Sequence, residues 1–467
     1  MRKEEILKSY YGYDYLKKEQ NQIVDSILDG HDTIGILPTG YGKSITFQIP
    51  SLILDGITIV ITPLIALMAD QVDGLKRRKI KAAYINSLQT KEEQDNIYNK
   101  LIKYKIKLLY VSAERLLSAK FLENIKKVKI SLIVCDEAHT LLWSEDFREA
   151  LGRIPEFIDG LPFRPRLLAL TATATKQTIE KIINYIGIRN PNIIACNCDR
   201  KNIFYSIVKV KDKKKELREY INKRRSILGI IYCLTIKNAK DVYDYLISLG
   251  YSVGLYHGAL SKEDKNKVQQ QFTKKEIKIM VCTNAFGMGI DIPCIRYVIE
   301  YDMPSSIEDF LQQSGRASRD GKYAESVVYF NMDDIKMNEY FIDNINNDNK
   351  SDAKIRKIKQ DRYKKLDSMI SLCLTKKCLH KMVCKYFNFK HNGKCNMCSN
   401  CKKLKNDENT QKSNENVKKF RFGIVYDEKK WYYIVVKNDY FNIGKIVERL
   451  WRKAIGPVKW QPVALID

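Results

Sequence analysis

The chain opens without an apolar leader. Met1-Arg-Lys-Glu-Glu5 is mostly charged, so no secretory signal core is expected at this end. No uninterrupted apolar run is long enough to span a bilayer. Both absences point to a soluble intracellular protein with no membrane partner, leaving nucleus and cytoplasm undecided. A repeat of solenoid length is also missing, which excludes a stacked-repeat architecture. Carboxylates are scarce relative to bases. Asp and Glu number 55 against 81 Lys and Arg, a formal net charge of +26. A surplus of that size favours a polyanionic partner, nucleic acid first and acidic membrane second. The bland alternative is a chain simply rich in Lys, Asn and Ile. What is present is a 467-residue chain, 45% hydrophobic and 29% charged, which makes about three domains with a real core.

The stretch around which the rest is organised is Leu37-Pro-Thr-Gly-Tyr-Gly-Lys-Ser44. The apolar run Thr33–Leu37 reads as a short buried strand, and Ile45–Ile49 as a first helical turn. A strand, a glycine turn and a helix N-terminus together make a phosphate site. Gly40 and Gly42 let backbone N–H groups approach phosphate oxygens, with Thr39 in the same loop. Lys43 neutralises β/γ charge, and Ser44 offers a hydroxyl to Mg²⁺. One glycine of the strict pattern is lacking, because Leu37 stands five positions before Gly42; an ordinary strand-to-helix turn is the alternative. The second motif is Leu132-Ile-Val-Cys-Asp-Glu-Ala-His139. It places Asp136 and Glu137 at a strand's C-terminal edge, beside the P-loop of the same sheet. There Asp136 suits Mg²⁺ and Glu137 suits the polarising of an attacking water. Together the two motifs read as an NTPase.

Strand-like runs at Ile57–Thr62, Lys107–Val111, Ser131–Cys135, Leu167–Thr171 and Asn192–Ala195 alternate with helix-like stretches. That alternation predicts a doubly wound α/β domain over residues 1–200. After Asp199-Arg-Lys-Asn-Ile203 the pattern restarts. Ser226–Cys233, Ser252–Tyr256, Ile277–Cys282, Tyr297–Tyr301 and Ser326–Phe330 predict a second such domain over 201–345, with a cleft between the two. A polar, helix-like, cysteine-dense segment covers 346–402. Residues 403–419 read as a flexible linker. Residues 420–467, with a strand at Trp431–Val436 and an amphipathic helix at Ile443–Lys453, read as a small α+β appendage.

With these residues in view the sequence resembles the RecQ-type DNA helicases of superfamily 2, over about residues 9–402. The resemblance implies two tandem RecA-like domains, a small helical zinc-binding segment, ATP with Mg²⁺ and Zn²⁺ as cofactors, and 3′→5′ movement on single-stranded and tailed duplex DNA. Tyr11-Gly-Tyr-Asp-Tyr-Leu-Lys-Lys-Glu-Gln20 is similar to the adenine-reading segment, with Gln20 on the base. Lys17 stands where Arg is usual, so charge is kept and planar stacking weakened. Thr62-Pro-Leu-Ile-Ala-Leu-Met-Ala-Asp-Gln71, with Pro63 and Leu64 at its tip, and Tyr110–Leu116 resemble loops touching the nucleic-acid backbone. Leu170–Thr175 resembles the motif that couples hydrolysis to domain movement. In the second domain Gly229–Cys233, Tyr256–Leu260, Cys282–Asp291 and Gln312–Gly321 follow in the family's order. Asp291 and Gln312 are thereby implied beside the nucleotide, Asp291 as a relay of its state. Arg316 and Arg319, three apart, would share a face if helical and reach across the cleft as arginine fingers. An interdomain salt bridge is the other reading of Arg319.

Ala138–Arg148 resembles the family's aromatic-rich loop. Trp143 and Phe147 would stack on bases and Arg148 would pair with phosphate, unless the aromatics pack the core. Here the loop is one residue shorter after His139, and Ser144-Glu145 replace Gly-His. His139 reads as a coupling residue rather than a metal ligand.

Twelve cysteines fit free thiols or metal ligands. Cys135, Cys196, Cys198, Cys233, Cys282 and Cys294 read as buried thiols. Cys395-Asn-Met-Cys-Ser-Asn-Cys401 is a C-x₂-C-x₂-C run needing one further ligand for tetrahedral zinc. The family pattern supplies it at Cys378, and Cys373, His380, Cys384 and His391 compete. An iron–sulfur cluster or free thiols are the alternatives to zinc with Cys378, Cys395, Cys398 and Cys401. Only 66 residues follow Cys401, short for the family's winged helix. Because such a motor core reads backbone more than base, an RNA helicase or RNA-stimulated ATPase stays open, and the shortfall leaves open a DNA-stimulated translocase that remodels nucleoprotein without separating strands. A catalytically dead scaffold is the non-enzyme alternative, opposed by the intact Lys43, Asp136, Glu137, Arg316 set.

Overall fold

The structure, a computed structural model, describes residues 2–63, 65–86, 89–139, 152–287, 292–345, 352–391, 393–402, 420–427 and 430–437. The expected roles of Leu64, Trp143, Phe147, Arg148 and Asp291, the linker and the helix at Ile443–Lys453 fall outside these residues. The chain divides into two compact units, 1–403 and 404–467.

The larger unit holds two parallel sheets. The first comprises β1 (Thr33–Ile36), β2 (Ile57–Ile61), β3 (Ala82–Ile85), β4 (Leu108–Val111), β5 (Ile130–Cys135), β6 (Arg166–Thr171) and β7 (Asn192–Ala195), in the order β3-β4-β2-β5-β6-β1-β7. Its strands are apolar on both faces. Ile34, Ile59 and Ile133 enter one helix-covered layer, and Val60, Leu132, Val134 and Leu168 the other. Two-sided burial is what a parallel sheet wrapped by helices requires. Each such side chain contributes about 1.5–3 kcal/mol by leaving water. The second sheet comprises β8 (Ile203–Lys209), β9 (Gly229–Tyr232), β10 (Val253–Tyr256), β11 (Ile279–Cys282), β12 (Tyr297–Glu300) and β13 (Ala324–Phe330), in the order β10-β11-β9-β12-β13-β8. The expected pair of doubly wound domains is therefore present.

Two strands of these parallel sheets escaped the sequence reading, as did Phe420–Asp427 in the smaller unit. β3 is an edge strand with Ala82-Ala83 at its start and half-buried centre residues, so it carries little strand signal. β8 pairs along its whole length with β13, closing the far edge of the second sheet immediately after the Asp199–Ile203 restart. Two of the six thiols expected to be buried, Cys196 and Cys294, are only half-buried.

Helices Asp352–Leu374 and Leu379–Tyr386 follow the second sheet. Tyr386 donates from its hydroxyl to Glu308 Oε2 at 2.9 Å, and Lys365 pairs with Glu308 Oε1 at 3.1 Å, fixing this segment to the second domain. Among the described residues no helix is long and apolar enough to cross a membrane. In the smaller unit β14 (Phe420–Asp427) and β15 (Lys430–Lys437) form an antiparallel hairpin in which Asp427 faces Lys430.

Candidate active site

The loop after β1 begins where Leu37 N–H donates to Thr171 O on β6 at 2.9 Å. It turns through Gly40 at φ +78° and Gly42 at φ +87°, a left-handed geometry that side-chain-bearing residues resist. Tyr41 N–H closes a turn on Pro38 O at 3.0 Å. Helix Ile45–Ile53 then starts from Ser44. Among the described residues the N–H groups of Gly40, Gly42 and Lys43 find no protein acceptor. Free amides on a positive-φ loop at a helix N-terminus fit an anion such as a nucleotide phosphate.

Lys43 Nζ donates to Glu137 Oε1 at 2.8 Å. Asp136 and Glu137 follow β5, while the P-loop follows β1, and β6 stands between them. The carboxylates thus lie beside the P-loop of the same sheet, as expected, although their strands are not adjacent. The Lys43 side chain spans the intervening strand end. Glu137 sits at φ +50° and donates its N–H to Asp136 Oδ1 at 2.9 Å, which locks the two carboxylates together. Burial raises the Asp136 carboxyl above its usual range, and the Glu137 charge adds to the effect. Glu137 is half-buried and desolvation pushes it up too, yet Lys43, His139 and Arg316 hold it below the carboxylate range. Its Oε2 is buried without a hydrogen-bond partner, 3.4 Å from His139 Nδ1.

His139 Nδ1 lies 3.0 Å from Thr171 Oγ1. The Thr171 hydroxyl gives its one proton to Thr173 O at 2.8 Å, so Nδ1 is the nitrogen that carries hydrogen. Burial pushes the imidazole down to about 4, so it is neutral at pH 7. This places His139 between the β5 carboxylates and the Leu170–Thr175 motif.

The Tyr11–Gln20 segment touches the same loop. Gln20 Nε2 donates to Tyr41 O at 2.8 Å and Gly42 O at 3.1 Å, and its Oε1 accepts from Lys17 N–H at 2.9 Å. Lys17 Nζ lies 4.3 Å from the centre of the Tyr41 ring, whose hydroxyl donates to Glu19. Pro63 is half-buried just after β2.

The second domain supplies the opposite wall. Helix Ile307–Ser314 is capped by Ser306, and Gln312 stands half-buried on its last turn. The helix stops at Gly315, and Ser318 adopts φ +50° with its N–H on Ile295 O at 2.9 Å. Arg316 and Arg319 therefore do not share a helical face. The Arg316 guanidinium is buried, donates to Gly287 O, and leaves Nε without a partner, while its charge still reaches Glu137. Arg319 packs over the P-loop, its Cγ 3.0 Å from where a Gly40 Cβ would sit. Two groups escaped notice. Glu300, fully buried at the end of β12, faces the Gln313 amide nitrogen at 2.5 and 3.1 Å. Arg200, in the interdomain segment, donates to Thr39 O at 3.1 Å. An isolated Glu or Arg in sequence gives no signal for either.

Packing brings four of the cysteine sulfurs together. The sulfurs of Cys378, Cys395, Cys398 and Cys401 all lie within 4.8 Å of one another. Cys378 caps helix Leu379–Tyr386 and accepts from Lys381 N–H at 3.5 Å; Met397 N–H and Cys401 N–H donate to Cys395 and Cys398 sulfurs at 3.3 and 3.5 Å. Four thiols with N–H···S support are the donor set of a structural zinc site. Three of the four competitors are engaged elsewhere. His380 directs one ring nitrogen at Asp199 Oδ1 (2.7 Å) and the other at Met397 O (3.0 Å). Cys384 points to Asn197, and His391 to Asp199.

Comparison with known proteins agrees with this geometry. Residues 17–182 match the DEAD/DEAH box helicase family, 212–321 the helicase conserved C-terminal domain, and 332–402 the RecQ zinc-binding family. The chain is 36% identical over 402 residues to the ATP-dependent DNA helicase RecQ of Bacillus subtilis, covering 86% of this chain and 67% of that protein. It is 36% identical over 419 residues to a putative ATP-dependent RNA helicase of Acanthamoeba polyphaga mimivirus, covering 88% and 74%. It spans 63% and 52% of the RecQ proteins of Haemophilus influenzae and Pasteurella multocida. The fold is similar to that of the DEAD-box helicase Mss116 bound to single-stranded RNA, with a TM-score of 0.60 at 20% identity over 84% of this chain and 86% of that one. From the P-loop to the four-cysteine cluster, in sequence and in fold, the chain belongs to the RecQ family of ATP-dependent helicases.

Proposed function

We propose that the chain is an ATP-driven motor that moves 3′→5′ along single-stranded DNA and separates tailed duplex. The observation that carries this reading is the convergence on the P-loop. Lys43 meets Glu137 from the first domain while Arg319 packs over Gly40 from the second. In this reading the amides of Gly40, Gly42 and Lys43 cradle phosphate oxygens, with Thr39 alongside and Gln20 and Lys17 toward the base. Ser44 and Asp136, a hydroxyl and a carboxylate, are oxygen donors suited to Mg²⁺. When bound, Mg²⁺ neutralises charge on the β- and γ-phosphates. Glu137 Oε2, held ionised and without a protein partner, accepts a hydrogen bond from the attacking water. Arg316 and Arg319 supply positive charge at the transferring phosphoryl group as the cleft closes. Gln312 and Asp291 carry nucleotide state into the second domain. Pro63 and Leu64 touch the DNA backbone, with Trp143, Phe147 and Arg148 on the exposed strand. Cys378, Cys395, Cys398 and Cys401 hold Zn²⁺ for folding.

One observation favours RNA as a second substrate: the mimivirus relative is named as a putative RNA helicase. Lys43→Ala tests the common core of both readings. It should abolish nucleic-acid-stimulated phosphate release, and a fully active variant would refute the P-loop assignment.

A further inference from the structure

We propose that Arg200 is a positioning residue for ATP hydrolysis, setting the P-loop and the arginine-bearing loop in register through their backbones. The proposal rests on the reading of this cleft as the ATPase site. Arg200 lies in the segment that joins the two domains, outside every motif used above.

Its five N–H donors meet five acceptors. Nε donates to Asn202 Oδ1 at 3.3 Å. One terminal nitrogen donates to Thr39 O at 3.1 Å and Gly315 O at 3.5 Å. The other donates to Ala317 O at 3.2 Å and Ser318 O at 2.9 Å. Gly315, Ala317 and Ser318 bracket Arg316 and immediately precede Arg319. Thr39 immediately precedes Gly40, over which Arg319 lies. One planar guanidinium therefore holds the loop that presents both arginines and, at the same time, the loop that presents phosphate-facing amides.

The neighbouring contacts strengthen the same loop. Asn202 Nδ2 donates to Ser318 Oγ at 2.8 Å and to Ser318 O and Lys322 O at 3.2 Å. Ser318 needs this support, because φ +50° is uncommon for a residue with a side chain. All of Arg200's acceptors but one are backbone carbonyls, and among the described residues no carboxylate pairs with it. A lysine keeps the charge but has three donors on a single nitrogen and cannot span both loops as the planar fork does. When the cleft opens, the Thr39 bond is the one that must break, since the other four acceptors lie on the Arg200 side of the cleft or in its own segment.

Arg200→Lys and Arg200→Ala are to be compared with the unaltered full chain, each also combined with Arg316→Ala. Measurements are DNA-stimulated phosphate release against ATP concentration, equilibrium binding of a fluorescent ATP analogue, and the thermal midpoint. Misplacing reacting groups by about an ångström costs on the order of 100-fold. The expected result is a kcat roughly 10- to 100-fold lower, with analogue binding changed by less than about threefold. In the Arg316→Ala background, removing Arg200 should cost a smaller factor than it does alone, since one of the two arginines it positions is already gone. An unchanged kcat overturns the proposal. So does an equal fractional loss with and without Arg316, which marks a general structural role. If Arg200→Ala fails to fold, Arg200→Lys decides by the same readouts. Failure of the ATPase reading itself is separate: it shows as full activity in Lys43→Ala.

Discussion

Lys43 and Glu137 form an ion pair at 2.8 Å that joins the loop after β1 to the end of β5, across the intervening β6. The pair keeps Glu137 ionised at a half-buried position and, among the described residues, leaves its Oε2 without a hydrogen-bond partner. Glu137→Gln preserves the shape and removes the charge. General-base action contributes about 10²–10⁴-fold, so phosphate release should fall by that order. Binding of an ATP analogue should survive, because Lys43 and the loop amides remain. Steady-state phosphate release and an analogue titration on the same preparation check both halves.

Gly287 has no room for a methyl group. It sits at φ +121°, and a Cβ there would lie 2.2 Å from Arg316 Nε and 2.4 Å from its Cζ. Gly287→Ala must displace the Arg316 guanidinium, which donates to the carbonyl of Gly287 itself. The expected outcome is a kcat loss of roughly tenfold or more, with KM for ATP nearly unchanged. A kinetic profile indistinguishable from the parent would show that Arg316 does not act from this position.

How far the site was legible depended on whether a side chain's role is encoded locally. Lys43, Asp136 and Glu137 sit in contiguous motifs next to apolar strands, so residue type and spacing sufficed to find them. Arg316 and Arg319 were found as well, but their geometry was not. Sequence spacing suggested a shared helical face, whereas Gly315 ends the helix and Ser318 turns through positive φ. The fourth sulfur of the cysteine cluster followed from resemblance alone. Packing explains the choice: His380, Cys384 and His391 turn toward Asn197 and Asp199 of the interdomain segment, leaving Cys378 to the cluster. β3 and β8 were missed because edge strands need only half the apolar signal of central ones. Arg200 was missed because it speaks to backbone carbonyls, which leave no trace in side-chain pattern.

The four-cysteine cluster should bind one metal ion. Native mass spectrometry is expected to show one zinc per chain, and a folded chain free of metal would contradict the assignment. Zinc removal by a chelator should lower the thermal midpoint, because four converging thiols lose the ion that holds them together. Cys398→Ser should do the same. The consequence extends to the second domain, since Tyr205 N–H bonds Met397 O at 3.0 Å beside Cys398.

Gly229 offers a test of stability remote from the nucleotide. It opens β9 against the Tyr297 ring, where a Cβ would fall 2.0 Å from two ring carbons. Both residues are buried in the second sheet, so the ring has no easy escape. Gly229→Ala should destabilise the second domain by about 1–3 kcal/mol or more, as overpacked cores do. Urea unfolding should show the loss as a lower midpoint.

The central claim is a DNA motor with 3′→5′ polarity. Strand separation with Mg-ATP on matched DNA and RNA duplexes, each with a 3′ or a 5′ single-stranded tail, tests it most directly. The account predicts unwinding of the 3′-tailed DNA duplex, abolished by Lys43→Ala. Nucleic-acid-stimulated ATP hydrolysis without unwinding of any duplex, or unwinding confined to 5′-tailed or RNA substrates, would contradict it.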